Sequence, residues 1–513
     1  MTLGRSLAIA LLGLRGHPVA VEAHCAQGLP TFSLIGLPDT SLSEARERVR
    51  AAVASCGITW PARRITVNLS PASLPKSGSS FDVAIAAATL AAAGVVDPTR
   101  ALDTVHVGEL GLDGSLHPVR GVLPAVAAAV EHGYTEIVVP LQSVPEAELV
   151  PGARVIGAAH LGDIIRRHGG QARTTPPLAP AVNAVEQPSE QQPAPDLVDV
   201  LGQDDAKLAL EVAAAGSHHL FLLGPPGAGK TLLAQRLPGL LPDLSDDEAI
   251  AVTALHSLSG TFDARDGLLR RPPFEAPHHT ATAAAVVGGG SGLPRPGAAS
   301  RAHRGVLFLD EAPEFSGRVL DTLRQPLESG ELTLHRARGS ARYPARFQLA
   351  MAANPCPCGQ GSGKGLACTC TPLARRRYLA RLSGPLLDRI DIQMEVPALT
   401  RADLAMARQP EPSAAVAKRV ARARRAQRRR LRGTPWRSNA EVSGVWLRDS
   451  ARLAPSAVSK LEGALDSGRL SLRGLDRVLR IAWTLADLAG LDRPGREQTD
   501  LALALRMPGI RGG

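Results

Sequence analysis

The sequence predicts an α/β protein in three parts: an N-terminal α/β domain, a central P-loop nucleotide-binding α/β sandwich and an all-α C-terminal domain. Three observations carry this. Gly224-Pro225-Pro226-Gly227-Ala228-Gly229-Lys230-Thr231 follows the apolar run 219–223 and precedes a helix-like segment at 232–237. A second apolar run, 305–309, ends in Asp310 and Glu311. Beyond residue 398 helical periodicity replaces the alternation of strand and helix patterns.

The octapeptide has the strand, glycine-rich loop and helix context that a phosphate-binding loop requires. Glycines let the backbone curl so that successive N–H groups face the phosphates. Lys230 is expected to reach the β- and γ-phosphates of ATP, and the Thr231 hydroxyl to hold Mg²⁺. The strand 305–309 supplies the other half of the site. Asp310 is expected to hold the same Mg²⁺, and Glu311 to orient and deprotonate the attacking water.

At 513 residues the chain is long enough for about three domains with real cores. Aromatics make up only 3% of it, so alanine, leucine and valine must fill those cores. The apolar start, 7–14, lacks a charged leader and a cleavage site and is too short to span a bilayer. It reads as a strand. Six cysteines in such a chain do not make a disulfide scaffold. A cytoplasmic protein without a membrane partner is expected. The net charge is +10, yet it is local. Between Glu411 and Glu441 there is no acid, while Lys418, Arg419, Arg422, Arg424, Arg425, Arg428, Arg429, Arg430, Arg432 and Arg437 are all cationic. That points to one site or one solvated helix, not to a supercharged surface.

Residues 1–168 read as strands at 19–24, 31–35, 64–69, 105–108 and 137–139, with helices after Asp39 and over 82–93. Ser41 and Glu44 are spaced as a capping box for the first helix. GLPTFSLIGLPDTSLSEARERVRAAVASCGI and RITVNLSPASLPKSGSSFDVAIAAATLAA closely resemble the N-terminal domain of the Mg-chelatase-like ATPases of the YifB/ComM type. That resemblance implies the Lon-protease-like (ribosomal S5 domain 2-like) fold. Ser80 falls where Lon carries its nucleophile, but the position of the lysine base is taken by Leu123. Leucine cannot accept a proton, so a proteolytically inactive domain is expected.

Residues 169–195 are rich in Pro, Gln, Ala and Thr and read as a flexible linker that leaves its neighbours without fixed register. Residues 196–397 form the nucleotide module, which resembles the AAA+ ATPases. The resemblance implies that Asn354, ending the strand-like run 349–353, is sensor 1. It also implies that 271–304, with His278 and His279, and the hairpin 331–343 are pore-facing. Arg295, Arg301 and Arg304 in the first and Arg336, Arg338 and Arg342 in the second could then meet phosphates; a solvated hairpin is the alternative. Two adjacent histidines point different ways, which argues against metal there.

Cys356, Cys358, Cys368 and Cys370 form two C-x-C pairs within the insert 356–370. Four such thiolates can gather on one Zn²⁺; a reduced, packed or redox-sensing loop is the other reading. Leu386-Leu387-Asp388-Arg389-Ile390-Asp391 matches the family motif at the subunit edge, implying Arg389 as a finger on a neighbour's γ-phosphate. An intramolecular pair with Asp388 or Asp391 is the alternative.

Residues 398–513 are expected to be a helical lid. Lys418, Arg422, Arg425, Arg429 and Arg432 recur at helical spacing opposite Val416, Val420, Ala423 and Leu431. That face could bind a nucleic-acid backbone or be a solvated connector. Arg473 matches the family's sensor 2, closing over the nucleotide. The resemblance as a whole implies a homo-oligomer, expected as a hexamer, moving on single-stranded or branched DNA in recombination or DNA uptake. The alternative is a chaperone-like ATPase remodelling a protein partner, as the magnesium-chelatase ATPase subunit does.

Overall fold

The computed structural model describes residues 2–36, 44–76, 78–173, 195–290, 294–336, 339–361, 367–405, 409–449 and 470–506, with isolated positions between 453 and 466. The N-terminal domain opens with β1 (Thr2–Leu12) and β2 (Arg15–Ala26), an antiparallel hairpin closing at Leu12 and Arg15. Side chains of β2 alternate between the core and partial exposure, the period of a sheet covered on one face. Further elements are β3 (Thr31–Ile35), α1 (Ala45–Ser55), β4 (Arg64–Ser70), α2 (Asp82–Ala92), β5 (Val105–His106), α3 (Val122–Glu131), β6 (Glu136–Pro140) and β7 (Arg154–Ala158). The strands form one mixed sheet in the order β3-β4-β2-β1-β5-β6-β7. All residues of α2 are buried, and its backbone lies so close to β1 that a side chain on Gly4 would strike the Ala88 carbonyl at 2.2 Å. Ser41 of the expected capping box lies outside the described residues; the helix starts at Ala45.

Leu123, which the resemblance sets at the place of a proteolytic base, is fully buried. Lys76, near Ser80 in the chain, is equally committed. Its buried amine donates to the carbonyls of Gly36 (3.1 Å), Leu69 (2.9 Å) and Pro71.

The second sheet is wholly parallel. Around it come α4 (Asp204–Gly216), β8 (Leu220–Leu223), α5 (Lys230–Arg236), α6 (Asp246–Ser259), β9 (Phe274–Glu275), β10 (Val306–Leu309), the hairpin β11 (Glu331–Arg336) and β12 (Gly339–Pro344), β13 (Gln348–Ala353), α7 (Pro372–Leu379) and β14 (Ile392–Glu395). Strand order is β9-β10-β13-β8-β14. β8, β10 and β13 are buried throughout, as strands covered on both faces must be.

Among the described residues, the C-terminal part is built mainly on α8 (Ser413–Arg430), α9 (Leu472–Ala489) and α10 (Arg496–Ala504). Their apolar faces share one continuous core with the sheet, running from Leu220 and Ile392 to Val420, Leu479 and Leu505. A buried polar chain crosses the same seam. His218 bonds Asp391 (2.9 Å) and Thr484 (2.7 Å), while Arg477 donates to Asp391 (2.7 Å). Burial alone would raise the Asp391 pKa, but Arg477 and then His218 hold it well below the usual carboxylate range. The helical domain is thus welded to the base of the sheet.

The two α/β domains are also packed together, against the expectation of a free register. Glu146 accepts from the Leu123 amide (2.8 Å) and from Ser257 Oγ (2.5 Å) on α6. Ala341 and Tyr343 of β12 pack with Leu14 and Leu258, and Gly13, at φ +68°, leaves room for the Arg342 carbonyl. The hairpin that was expected to be solvated or pore-facing therefore rests one side on the N-terminal domain. Arg336 and Arg342 remain exposed, and Arg338 lies outside the described residues.

Candidate functional site: a nucleotide site and an arginine cluster at opposite sheet edges

The phosphate loop leaves the C-terminal end of β8 at Gly224, where a β-carbon would lie 2.2 Å from the Val396 carbonyl. Gly227 and Gly229 hold φ of +77° and +88° with open space beside them, so backbone conformation alone demands glycine there. Ala228 is buried while Pro225 and Pro226 line the turn. Because β8, β10 and β13 are parallel neighbours, the loop, Asp310 and Asn354 emerge at the same edge. This is where open α/β sheets bind ligands.

The contacts follow from that convergence. The Lys230 amine donates to the carbonyls of Gly224 (2.6 Å) and Pro225 (2.8 Å) and to Asn354 Oδ1 (3.2 Å). Burial lowers its pKa, against the pull of Asp310 and Glu311. Thr231 Oγ1 donates to Asp310 Oδ2 at 2.6 Å. A hydroxyl and a carboxylate held side by side are the donor set that suits Mg²⁺ beside a phosphate. Glu311 sits at φ +50°, a left-handed conformation that non-glycine residues adopt at a cost. Its half-exposed carboxylate lies 3.1 Å from His279 Nδ1. Spacing could not reveal this partner, because the two positions are 32 apart in the chain with three strands between them. The expected phosphate-facing arginines of the same insert divide: Arg295 is exposed, whereas Arg301 pairs with Glu275 (2.8 Å) and Arg304 with Glu248 (3.3 Å).

Arg389 and Arg473 lie elsewhere. β14 is parallel to β8, so the residues before it stand at the N-terminal edge, across the sheet from the loop. Arg389 pairs with Glu328, not with Asp388 or Asp391. Arg473 stands 3.8 Å from Asp388 with 84% of its side chain exposed. Both line a cleft of about 1150 Å³ together with Arg477 and Arg480. Burial lowers the Arg389 pKa, and Arg324, Arg477 and Arg473 lower it further. Arg473 was expected to close over the nucleotide; the welded helical domain sets it beside Arg389, at the opposite edge of the sheet from Lys230 of the same chain.

Comparison with known proteins identifies the family. The family described as magnesium chelatase, subunit ChlI, matches residues 196–404, its relative described as subunit ChlI of Mg-chelatase matches 21–143, and the ChlI C-terminal family matches 410–506. An uncharacterized protein of Mycobacterium tuberculosis is 51% identical over 100% of both chains. The uncharacterized protein YifB of Escherichia coli is 41% identical over 97% of this chain and 96% of its own. The competence protein ComM of Haemophilus influenzae is 41% identical over 94% and 93%. The chain belongs to the magnesium-chelatase-like AAA+ ATPases of the YifB/ComM type.

Two further features of this family member stand outside the nucleotide site. The four insert cysteines have Sγ atoms all within 4.8 Å of one another. The basic helix α8 buries Val416, Val420, Ala423 and Gln427 and exposes Lys418, Arg422, Arg425 and Arg429, with Arg432 exposed in the turn just past its end. Not every arginine serves that face. Arg419 bridges Glu211 and Glu411, Arg424 donates to the Ala214 carbonyl, and Arg430 turns inward to Asp487 and Asn439. Among the described residues, no helix is long and apolar enough to cross a membrane.

Proposed function

We propose that the chain is an ATP-hydrolysing motor that works as a homo-oligomeric ring, a hexamer by expectation, on single-stranded or branched DNA. The loop amides and Lys230 bind the β- and γ-phosphates, and Thr231 and Asp310 hold Mg²⁺, which when bound neutralises charge on those phosphates. Glu311, once parted from His279, takes the proton of the attacking water, and Asn354 orients that water. Arg389 and Arg473 stand at the far edge of the sheet, so they act on a nucleotide held by the next copy. That division of one site between two edges supports a ring.

The exposed cationic face of α8 carries the DNA reading. Five cations at helical spacing present charge without sequence preference, which suits a phosphodiester backbone. The setting would be recombination or DNA uptake, in line with the name competence protein borne by the Haemophilus relative. The test is the ATPase rate with and without single-stranded and duplex DNA at several salt concentrations. Stimulation that fades with salt is the expected result. Neither stimulation nor salt-sensitive binding would replace DNA with a protein client, the remodelling role of the second reading.

A further inference from the structure

Among the described residues, the four cysteines are a group of chemically reactive side chains that the ATPase chemistry leaves unused. Three Sγ separations are 3.3 Å (Cys356 to Cys358), 3.6 Å (Cys356 to Cys368) and 3.6 Å (Cys358 to Cys368). These are far from the roughly 2.05 Å of a disulfide, and all four thiols are free. They approach the ~3.8 Å edge of a tetrahedron whose centre is ~2.3 Å from each sulfur, the distance of a zinc–thiolate bond. Apolar packing does not explain the cluster, since only Cys356 is buried and Cys358 is exposed. The backbone is shaped for it. The Gly359 amide closes a turn onto the Cys356 carbonyl (2.9 Å), with Gly359 at φ +77°. A side chain on Gly361 would come within 3.1 Å of Cys356 Sγ.

The turn also leans on the nucleotide site. A β-carbon on Gly359 would lie 2.6 Å from Pro226 Cγ, so the knuckle and the phosphate loop are in contact there. Two residues before Cys356 is Asn354, the amide that Lys230 meets. Immediately after Cys370, Thr371 caps α7, whose Tyr378 is buried and hydrogen-bonded to the Asn354 backbone. Arg381, just beyond, donates to the Pro313 carbonyl (3.1 Å) and to Glu314 (3.0 Å) beside the Asp310–Glu311 turn.

We infer that Cys356, Cys358, Cys368 and Cys370 form a structural zinc site whose ion pins Asn354 and the Pro226 side of the phosphate loop in their binding geometry. The metal joins the two ends of an insert that would otherwise hang from the site it borders. Loading with zinc therefore supports nucleotide affinity without the ion touching the nucleotide. The second half of this inference rests on the ATP-site reading; the first half does not.

The test uses the full-length protein purified under reducing conditions. Elemental analysis is expected to find about one zinc per chain, and a Cys358→Ser/Cys370→Ser variant, checked for retained fold by circular dichroism, is expected to lose it. Cobalt added to stripped protein should give the strong visible bands of a tetrathiolate site. Fewer than one zinc in several chains, four freely titratable thiols and no cobalt bands would overturn the site. For the coupling, binding of a fluorescent ATP analogue is compared before and after stripping and after zinc is restored. A reversible loss of about tenfold, the scale seen when outer-shell support of a site is removed, is expected. Unchanged affinity in the stripped protein overturns the coupling. Lys230→Ala serves as the control: if untreated protein binds no better than this variant, it is the nucleotide reading that has failed and not the zinc site.

Discussion

The residues of the proposed nucleotide site divide into those already in mutual contact and one held away by a partner. Lys230, Thr231 and Asp310 already touch one another or their loop, so Lys230→Ala should abolish nucleotide binding in a fluorescence titration. Glu311→Gln keeps the shape but removes the proton acceptor. It should bind ATP and fail to turn it over in a phosphate-release assay; surviving turnover would show that another group is the base. His279 is the more informative position. Its ring holds the Glu311 carboxylate at 3.1 Å, a contact that competes with water. His279→Ala should therefore raise the basal rate and shrink the stimulation by DNA, and an unchanged ratio of stimulated to basal rate would dismiss a restraining role. The loop and its two acids were legible in the sequence because strand, turn and helix are contiguous there and glycines at positive φ leave a visible pattern. The His279 contact was not legible, nor was the pairing of Arg389 with Glu328. Each depends on where strands lie in the sheet, which chain spacing does not encode.

At the scale of elements, α8 shows what periodicity reveals and what it hides. The exposed face of Lys418, Arg422, Arg425, Arg429 and Arg432 follows from a 3.6-residue repeat. Which arginines turn inward does not, because Arg424 and Arg430 look the same on paper as their neighbours. The partners that bury them, Ala214, Asp487 and Asn439, come from other elements. The two groups should respond oppositely to substitution. Arg422→Glu with Arg425→Glu and Arg429→Glu should leave the melting temperature nearly unchanged while weakening DNA binding. Each lost phosphate contact should flatten the salt dependence by about 0.9 in the log–log slope. Arg430→Ala should instead destabilise the fold by about 3–5 kcal/mol, since it strands a buried carboxylate on Asp487. It also removes a guanidinium lying 4.4 Å from the Trp483 ring centroid. Denaturant unfolding measures this directly. β7, like β9 and β14, is a strand the sequence hid: Gly157 interrupts it, and only pairing along β6 makes it a strand.

For the whole molecule, stability is tied to neutral histidines. Burial pushes His106 down to about 3, with His168 adding to it, and His168 and His219 down to about 4. His303 falls to about 3, again mainly through burial. The ordinary value is about 6.5. All four are depressed in the folded state, so below about pH 6.5 the unfolded chain takes up protons that the native one refuses. Stability is full above that pH and drains as pH falls toward 4 and 3. The melting temperature should drop over this window, and His106→Gln should soften the drop; a flat profile would contradict the burial. His106 and His168 share one hydrogen bond between their Nε2 atoms at 2.9 Å, which needs one donor and one acceptor. Protonating the accepting ring at Nε2 sets two N–H groups face to face.

The placement of the phosphate loop and the Arg389–Arg473 pair on opposite edges of one sheet reaches beyond chemistry into genetics. On the proposed arrangement the unit of activity is a junction, and a lone chain has none. Specific activity should therefore fall on dilution, and mixing Lys230→Ala with Arg389→Ala copies should recover turnover that neither has alone. A Glu311→Gln copy would do the reverse, entering rings beside normal subunits and spoiling them. In a cell making both, that allele should behave as a dominant one, with severity set by gene dosage.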